Sequence, residues 1–170
     1  LEMIEQQCRF ANLLYENGIP TPRQYSCHGS FANLYTINGY ELIVCVEDFA
    51  EGSITEVNAE IAEKTGALLA RTHNISEQFN AHVEADVLFD PFKLNDLFTV
   101  PDFDKVIPPE DTELREVSQK IMSVYNEYME KLSELKAEPS YAVQGDISDC
   151  NLYRTKAVSY THLRAHETPE

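Results

Sequence analysis

The stretch QGDISDCN, residues 144–151, places a carboxylate and a carboxamide five residues apart, at Asp146 and Asn151. A short apolar run precedes it, so we expect a loop that directly follows a buried strand. A carboxylate in such a loop can accept or orient the proton of an attacking hydroxyl group. A carboxamide oxygen is a good ligand for the hard cation Mg²⁺. The same residues are also common in ordinary turns, so the surrounding elements must decide between the two interpretations.

The first elements of the chain are predicted from periodicity and turn residues. Residues 1–17 carry apolar side chains at helical spacing, and Gly18 is a typical residue at a helix end. Two β-favouring runs follow, separated by Asn38-Gly39, which is the strongest short signal for a hairpin. The second run, 40–46, is almost continuously apolar, which predicts a central strand covered on both faces.

A helix is expected after the hairpin. Ser53 and Glu56 form the pattern of a capping box, so the helix should begin there and continue to about His73. Gly66 lies in its interior, where it is unfavourable relative to alanine, which suggests close packing against another element.

A second long helix is expected before the 144–151 loop. Thr112 should cap it, and its apolar positions step by three and four residues as far as 135. Pro139 then separates the helix from a predicted strand, YAV at 141–143.

Three segments give this order of elements a family resemblance. They are ANLLYENGIPTP (11–22), TGALLARTHNI (65–75) and QGDISDCN (144–151). The first is similar to a helix that ends in a Gly-x-Pro-x-Pro turn, the second to a Gly-x-x-Leu-Ala-x-x-His helix and the third to a His-Gly-Asp-x-x-x-x-Asn loop. Together they resemble the aminoglycoside phosphotransferase and choline-kinase-like superfamily of small-molecule kinases.

The resemblance implies roles for four residues. Asp146 matches the catalytic base and Asn151 the Mg²⁺ ligand, while the carbonyl of Glu47 and the amide of Phe49 match the backbone groups that hold adenine. ATP or GTP would then be the phosphoryl donor, with Mg²⁺ as the metal. The acceptor would be a hydroxyl group of a small molecule, of the aminoglycoside, choline or ethanolamine, homoserine, sugar or fructosamine type.

The chain also departs from the family pattern. Gln144 stands where the family usually has His, and either Glu5 or Glu2 could be the acidic residue that pairs with an ATP-binding Lys. That Lys and the phosphate-covering strands are expected upstream of residue 1, and a second metal ligand, an Asp, is expected just after the loop. This chain is therefore expected to be close to inactive, because such chemistry depends on positioning and electrostatic stabilisation.

Two other function classes stay open. Gln144 is compatible with a non-catalytic, kinase-like binding or regulatory domain. A protein kinase proper shares the Asp-to-Asn spacing, although the sequence has no Asp-Phe-Gly or Ala-Pro-Glu pattern.

The predicted fold class is α+β, with a protein-kinase-like fold. Residues 1–48 would be a partial N-terminal lobe, a helix plus a β-hairpin, and 49–157 a mostly helical partial C-terminal lobe that carries the 144–151 loop. Residues 158–170 are expected to be a non-native tail, because their back-translation resembles the mosaic end and read adapter of tagmentation sequencing libraries.

Charge and cysteine content limit the partners. With 13 basic and 29 acidic residues, the chain is not expected to bind nucleic acid or an anionic membrane, both of which require a basic patch. Its four cysteines contain no C-x-x-C pair, which favours reduced thiols in a cytoplasmic protein. The longest strongly apolar run, LIVCV at 42–46, is too short to cross a bilayer. The sequence leaves the oligomeric state open.

Overall fold

A computed structural model describes residues 1–52, 54, 56–84, 92, 100, 102–145, 151–154 and 161–163. The fold is α+β, as predicted at that level, and combines helices with a small three-stranded antiparallel sheet. The chain divides into two compact units. One comprises Leu1–Ala85 together with Ser140–Glu170, and the other comprises Asp86–Pro139.

The first unit begins with helix α1, Glu2–Glu16, which confirms the helix predicted over 1–17. Its buried side chains, Gln7, Cys8, Ala11 and Leu14, recur at helical spacing and therefore form one face. The chain leaves the helix through Gly18 at φ +76°, a left-handed conformation that glycine adopts without a steric cost.

The sheet follows in the order β1-β3-β2, where β1 is Gln24–Tyr25, β2 is Ala32–Ile37 and β3 is Tyr40–Glu47. Strands β2 and β3 form the predicted hairpin, with Ile37 opposite Tyr40. Both turn residues have positive φ, +53° at Asn38 and +84° at Gly39, as a two-residue hairpin turn requires.

Strand β3 is central in the sheet, but the prediction that both of its faces are covered is wrong. Seven of its eight residues are exposed and only Val44 is partly buried. An apolar run is buried on both faces only where other elements pack on both sides of the sheet, and the main helix contacts of this sheet are those of α1 with β1 and β2. Among the described residues, apolar side chains such as Leu42 and Ile43 therefore remain accessible on this strand.

Helix α2 spans Ala59–Gln78 and begins later than the capping-box pattern predicted. The side chain of Asn58 accepts a hydrogen bond from the amide of Ile61 and caps the helix, whereas Ser53 lies outside the described residues. Nothing lies within 4 Å of a Cβ atom built on Gly66, so the expected close packing at this glycine is wrong.

The second unit contains a short helix, α3 at Phe103–Val106, and the long helix α4 at Thr112–Ser133, which a 3₁₀ turn extends over Glu134–Ala137. The N-cap is Asp111 rather than Thr112, since the Asp111 carboxylate accepts a hydrogen bond from the amide of Leu114.

The chain then returns to the first unit without the predicted strand at 141–143. Ala142 there donates its amide to the carbonyl of Ala81 at 2.8 Å, a single bond that does not extend into a ladder. Strands β4, Leu152–Arg154, and β5, Thr161–Leu163, then pair antiparallel. Backbone pairing tolerates many sequences, so the predicted non-native origin of 158–170 stays a prediction.

Candidate functional site

Two of the three segments that carry the family resemblance, 11–22 and 65–75, meet in one hydrophobic core with the residue that follows the third. Leu14 and Ile19 come from 11–22, Leu68 comes from 65–75, and Leu152 directly follows the 144–151 loop. These four side chains pack together, with the partly buried Phe10, Ile54 and Ile75 against them. Distant parts of the sequence are thus held in one place by the burial of apolar surface.

A polar contact also joins the first two segments. The guanidinium of Arg71 on α2 donates a hydrogen bond to the carbonyl of Gly18 at 2.8 Å. This carbonyl lies just after the end of α1, and a charged donor is a strong partner for such a group. The contact ties α2 to the Gly-x-Pro-x-Pro turn.

Helix α2 has a buried face made of small hydroxyl residues. Thr72 and Ser76 are fully buried below Leu68, and their hydroxyl groups donate to the carbonyls of Leu68 and Thr72, both at 3.0 Å. The hydroxyl groups are satisfied inside their own helix, so we assign them a packing role.

The described residues on either side of 146–150 include buried ones. Before the 144–151 loop, Ala142 is buried and bonded to Ala81, and the Tyr141 ring lies 6.1 Å from the His82 ring. At its end, Asn151 is only 8% exposed and precedes the buried Leu152. The predicted catalytic base, Asp146, lies outside the described residues.

The predicted adenine-binding residues lie where β3 ends. Glu47 is the last residue of the strand and stands opposite Gln24 of β1. The buried Gln24 side chain donates to the Glu47 carboxylate at 2.6 Å. Phe49, two residues later, is 91% exposed. We name residues 46–49 the hinge segment.

Asp48 fixes the hinge segment to the start of β1. Its amide donates to the carbonyl of Arg23 at 3.0 Å, and its carboxylate accepts the hydroxyl of Tyr25 at 2.8 Å. That hydrogen bond to the Asp48 carboxylate, followed by its charge, raises the pKa of Tyr25 above the ordinary value. The backbone next to Phe49 is therefore fixed by the two hydrogen bonds of Asp48, while the Phe49 side chain is exposed.

Glu5, one of the two acidic residues left open as the partner of a Lys, makes a contact that the sequence did not predict. Its side chain is 14% exposed, and its Oε2 accepts the amides of Phe31 at 2.8 Å and Ala32 at 2.7 Å. Its Oε1 is buried and lies 2.7 Å from the guanidinium of Arg9. Glu2 is exposed in the first turn of the same helix.

Sequence reasoning missed this contact because its partner is backbone. Glu5 and the buried Cys8 share a helix face, which the helical spacing could have indicated. Every residue except proline has a backbone amide, so the residue types at the start of an edge strand do not show which amides a distant carboxylate will bond. The Glu5 contact could therefore not be predicted from the sequence.

The described residues offer a hinge segment whose Phe49 side chain is exposed and, separately, a buried Asn151. Within the described part of the chain, no group of three or more His, Cys, Asp or Glu side chains could hold a metal ion. Nor does any helix there have both the length and the apolar character needed to cross a bilayer.

Comparison with models of known protein families finds no match to this chain, and comparisons with curated proteins and with solved structures find none either.

Proposed function

We propose that this chain carries the nucleotide-binding hinge and the phosphoryl-transfer loop of an ATP- or GTP-dependent phosphotransferase with a protein-kinase-like fold. The acceptor is a hydroxyl group of a small molecule. One observation carries the proposal. The helix–turn segment 11–22, the helix segment 65–75 and the residue that follows the 144–151 loop share one core. The proposed fold requires such a core, because the elements that position the loop have to lie close to it.

The roles of the residues follow from their chemistry. The Asp146 carboxylate accepts or orients the proton of the acceptor hydroxyl group. The Asn151 carboxamide supplies a neutral oxygen of the kind that Mg²⁺ prefers, and its burial beside Leu152 restricts its movement. When bound, Mg²⁺ neutralises charge on the nucleotide phosphates.

The hinge segment supports adenine binding through its backbone. The carbonyl of Glu47 accepts a hydrogen bond from adenine and the amide of Phe49 donates one. The bonds of Asp48 to Arg23 and Tyr25 hold the backbone between these groups. Prior ordering of this kind reduces the entropy lost on binding.

The hinge contact can be tested at Phe49, since a proline there removes the donor N–H and an alanine keeps it. Loss of one neutral hydrogen bond corresponds to about 0.5–1.5 kcal/mol, so Phe49→Pro should weaken ATP binding by roughly 2- to 12-fold relative to Phe49→Ala. The affinities can be measured by isothermal titration calorimetry or by NMR titration. Equal affinity of the two variants would contradict the assigned hinge.

The alternative function is a non-catalytic, kinase-like binding or regulatory domain, favoured by Gln144 in place of the usual His. Both functions include nucleotide binding at the hinge, and they differ in phosphoryl transfer. Transfer that Asp146→Asn abolishes, measured in this chain or in a longer protein containing it, would support the enzyme. In this chain alone we expect transfer to be close to absent.

A further inference from the structure

Helix α1, which packs against the sheet, carries one cysteine, Cys8, and strand β3 carries another, Cys45. Cys8 is 8% exposed on the buried face of α1, and Cys45 is exposed on β3. In the β2–β3 register Cys45 stands directly opposite Ala32, and paired residues of antiparallel strands point to the same face. Ala32 is buried, and helix α1 contacts the strands on either side of β3, so this face lies under α1.

The Glu5 contact fixes which part of the helix lies over Cys45. The Glu5 carboxylate accepts the amide of Ala32 at 2.7 Å, and Cys8 follows three residues later on the same helix face. On β3, Glu47 lies two residues after Cys45 and bonds the buried Gln24, which extends the same face. The Cys8 thiol is therefore placed above Cys45 by contacts on both sides of the pair.

The electrostatic environment of Cys8 agrees with this geometry. Burial, followed by the neighbouring Cys45 thiol and by the Glu5 and Glu47 carboxylates, raises the pKa of Cys8 from 9.0 to about 12. Cys8 thus remains a protonated thiol at neutral pH. The exposed Cys45 is the thiol that meets an oxidant first.

We propose that Cys8 and Cys45 form a reversible disulfide that ties α1 to β3 and makes this fold responsive to the thiol redox potential. The oxidant is a small-molecule disulfide of the oxidised glutathione class. The Cys45 thiolate attacks one of its sulfur atoms and releases one thiolate. A transiently deprotonated Cys8 thiolate, whose proton passes to solvent, then attacks the Cys45 sulfur and displaces the second small-molecule thiolate, and the two released thiolates take up the two protons lost by the cysteines. Two cysteine thiols are oxidised and one small disulfide is reduced to two thiols.

The cross-link joins the first helix to the strand that ends in the hinge segment. It closes a long loop of the unfolded chain, which stabilises the folded state. We expect the oxidised form to melt about 5–10 °C above the reduced form. Neither phosphoryl transfer nor nucleotide binding is needed for this cross-link to form.

The experiment equilibrates the full chain in buffers with increasing ratios of oxidised to reduced glutathione. Free thiols are then alkylated, the chain is digested without reduction, and the linked peptides are identified by mass spectrometry. The expected product is a peptide pair joined through Cys8 and Cys45, accompanied by the loss of two hydrogen atoms. The matched control is Cys27→Ser, which removes another exposed cysteine, located between β1 and β2. It should give the same product.

Other products would overturn the proposal. These are a wild-type chain that stays reduced in oxidised glutathione alone, a lasting mixed disulfide of glutathione with Cys45, or a link from either residue to Cys27 or Cys150. Because this measurement uses the wild-type chain, it does not depend on whether a variant folds. Cys45→Ser provides a second measurement, since oxidation should then leave the melting temperature unchanged.

Discussion

Replacing Glu5 with alanine should weaken the fold more than any other single change of an acidic residue in α1. The Glu5 carboxylate accepts two backbone amides, from Phe31 and Ala32, while 14% of its side chain is exposed. Strand β2 is an edge strand, so amides at its start have no other strand to bond on their outer side. Glu5→Ala therefore leaves two partly buried donors without this acceptor.

The magnitude follows from the two hydrogen bonds. Bonds to a charged group contribute about 1.5–3 kcal/mol each, and water can replace part of this loss at a partly open site. The ion pair between Glu5 and Arg9 adds little to the free energy of unfolding, because the Arg9 side chain is exposed and surface ion pairs are weak. We expect the free energy of unfolding to fall by about 2–4 kcal/mol, which corresponds to roughly 5–15 °C in the melting temperature. Glu5→Gln keeps one acceptor oxygen and should lose about half as much.

The control is Glu2→Ala, since Glu2 lies in the same first turn and is exposed. It shares with Glu5 only the favourable interaction with the helix N-terminus, worth about 0.3–1 kcal/mol. Urea unfolding followed by circular dichroism gives the two free energies. Hydrogen exchange at the Phe31 and Ala32 amides reports the local contact directly. If both variants lose the same stability and the two amides keep their protection, the reasoning about Glu5 is refuted.

Two further predictions concern the backbone and the titration of Cys8. Gly66→Ala should raise the free energy of unfolding by about 0.4–1 kcal/mol, because the position is helical and open. Gly39→Ala should lower it by about 1 kcal/mol, because φ is +84° there, and thermal unfolding of both variants measures the contrast. The folded state favours the protonated Cys8 thiol, so its contribution to stability is complete below pH 9.0 and is lost towards pH 12. The free energy of unfolding, measured between pH 9 and pH 12, should fall more steeply with pH in the wild type than in Cys8→Ser. Equal slopes of the free energy against pH would contradict the burial of Cys8.

Local signals predicted the first part of the fold well. The apolar spacing of α1 and the Asn38-Gly39 turn depend on residues close in sequence, and both predictions are confirmed. The start of α2 was placed too early because Ser53–Glu56 and Asn58 offer competing caps, and the side chain that bonds the helix amide is Asn58. Which of these residues caps the helix depends on the path of the preceding loop, and the residue types alone do not determine that path.

Long-range contacts were beyond sequence reasoning. Glu5 bonds amides 26 and 27 residues away, and the exposure of β3 depends on which elements pack against the faces of the sheet. The roles of Asp146, Asn151, Glu47 and Phe49 remain proposals that rest on the family resemblance and on the core shared by 11–22, 65–75 and the residue after the 144–151 loop. Asn151 is buried, and Asp146 lies outside the described residues.

The most direct test of the proposed function is an NMR titration of the ¹⁵N-labelled chain with ATP, first with Mg²⁺ and then with paramagnetic Mn²⁺ in its place. We expect amide shifts at the hinge segment, 46–49, and a broadening of the Asn151 amide that needs both Mn²⁺ and nucleotide. A titration in which the hinge amides do not shift and Mn²⁺ with ATP leaves Asn151 unchanged would contradict the assignment of this chain to an ATP-dependent phosphotransferase.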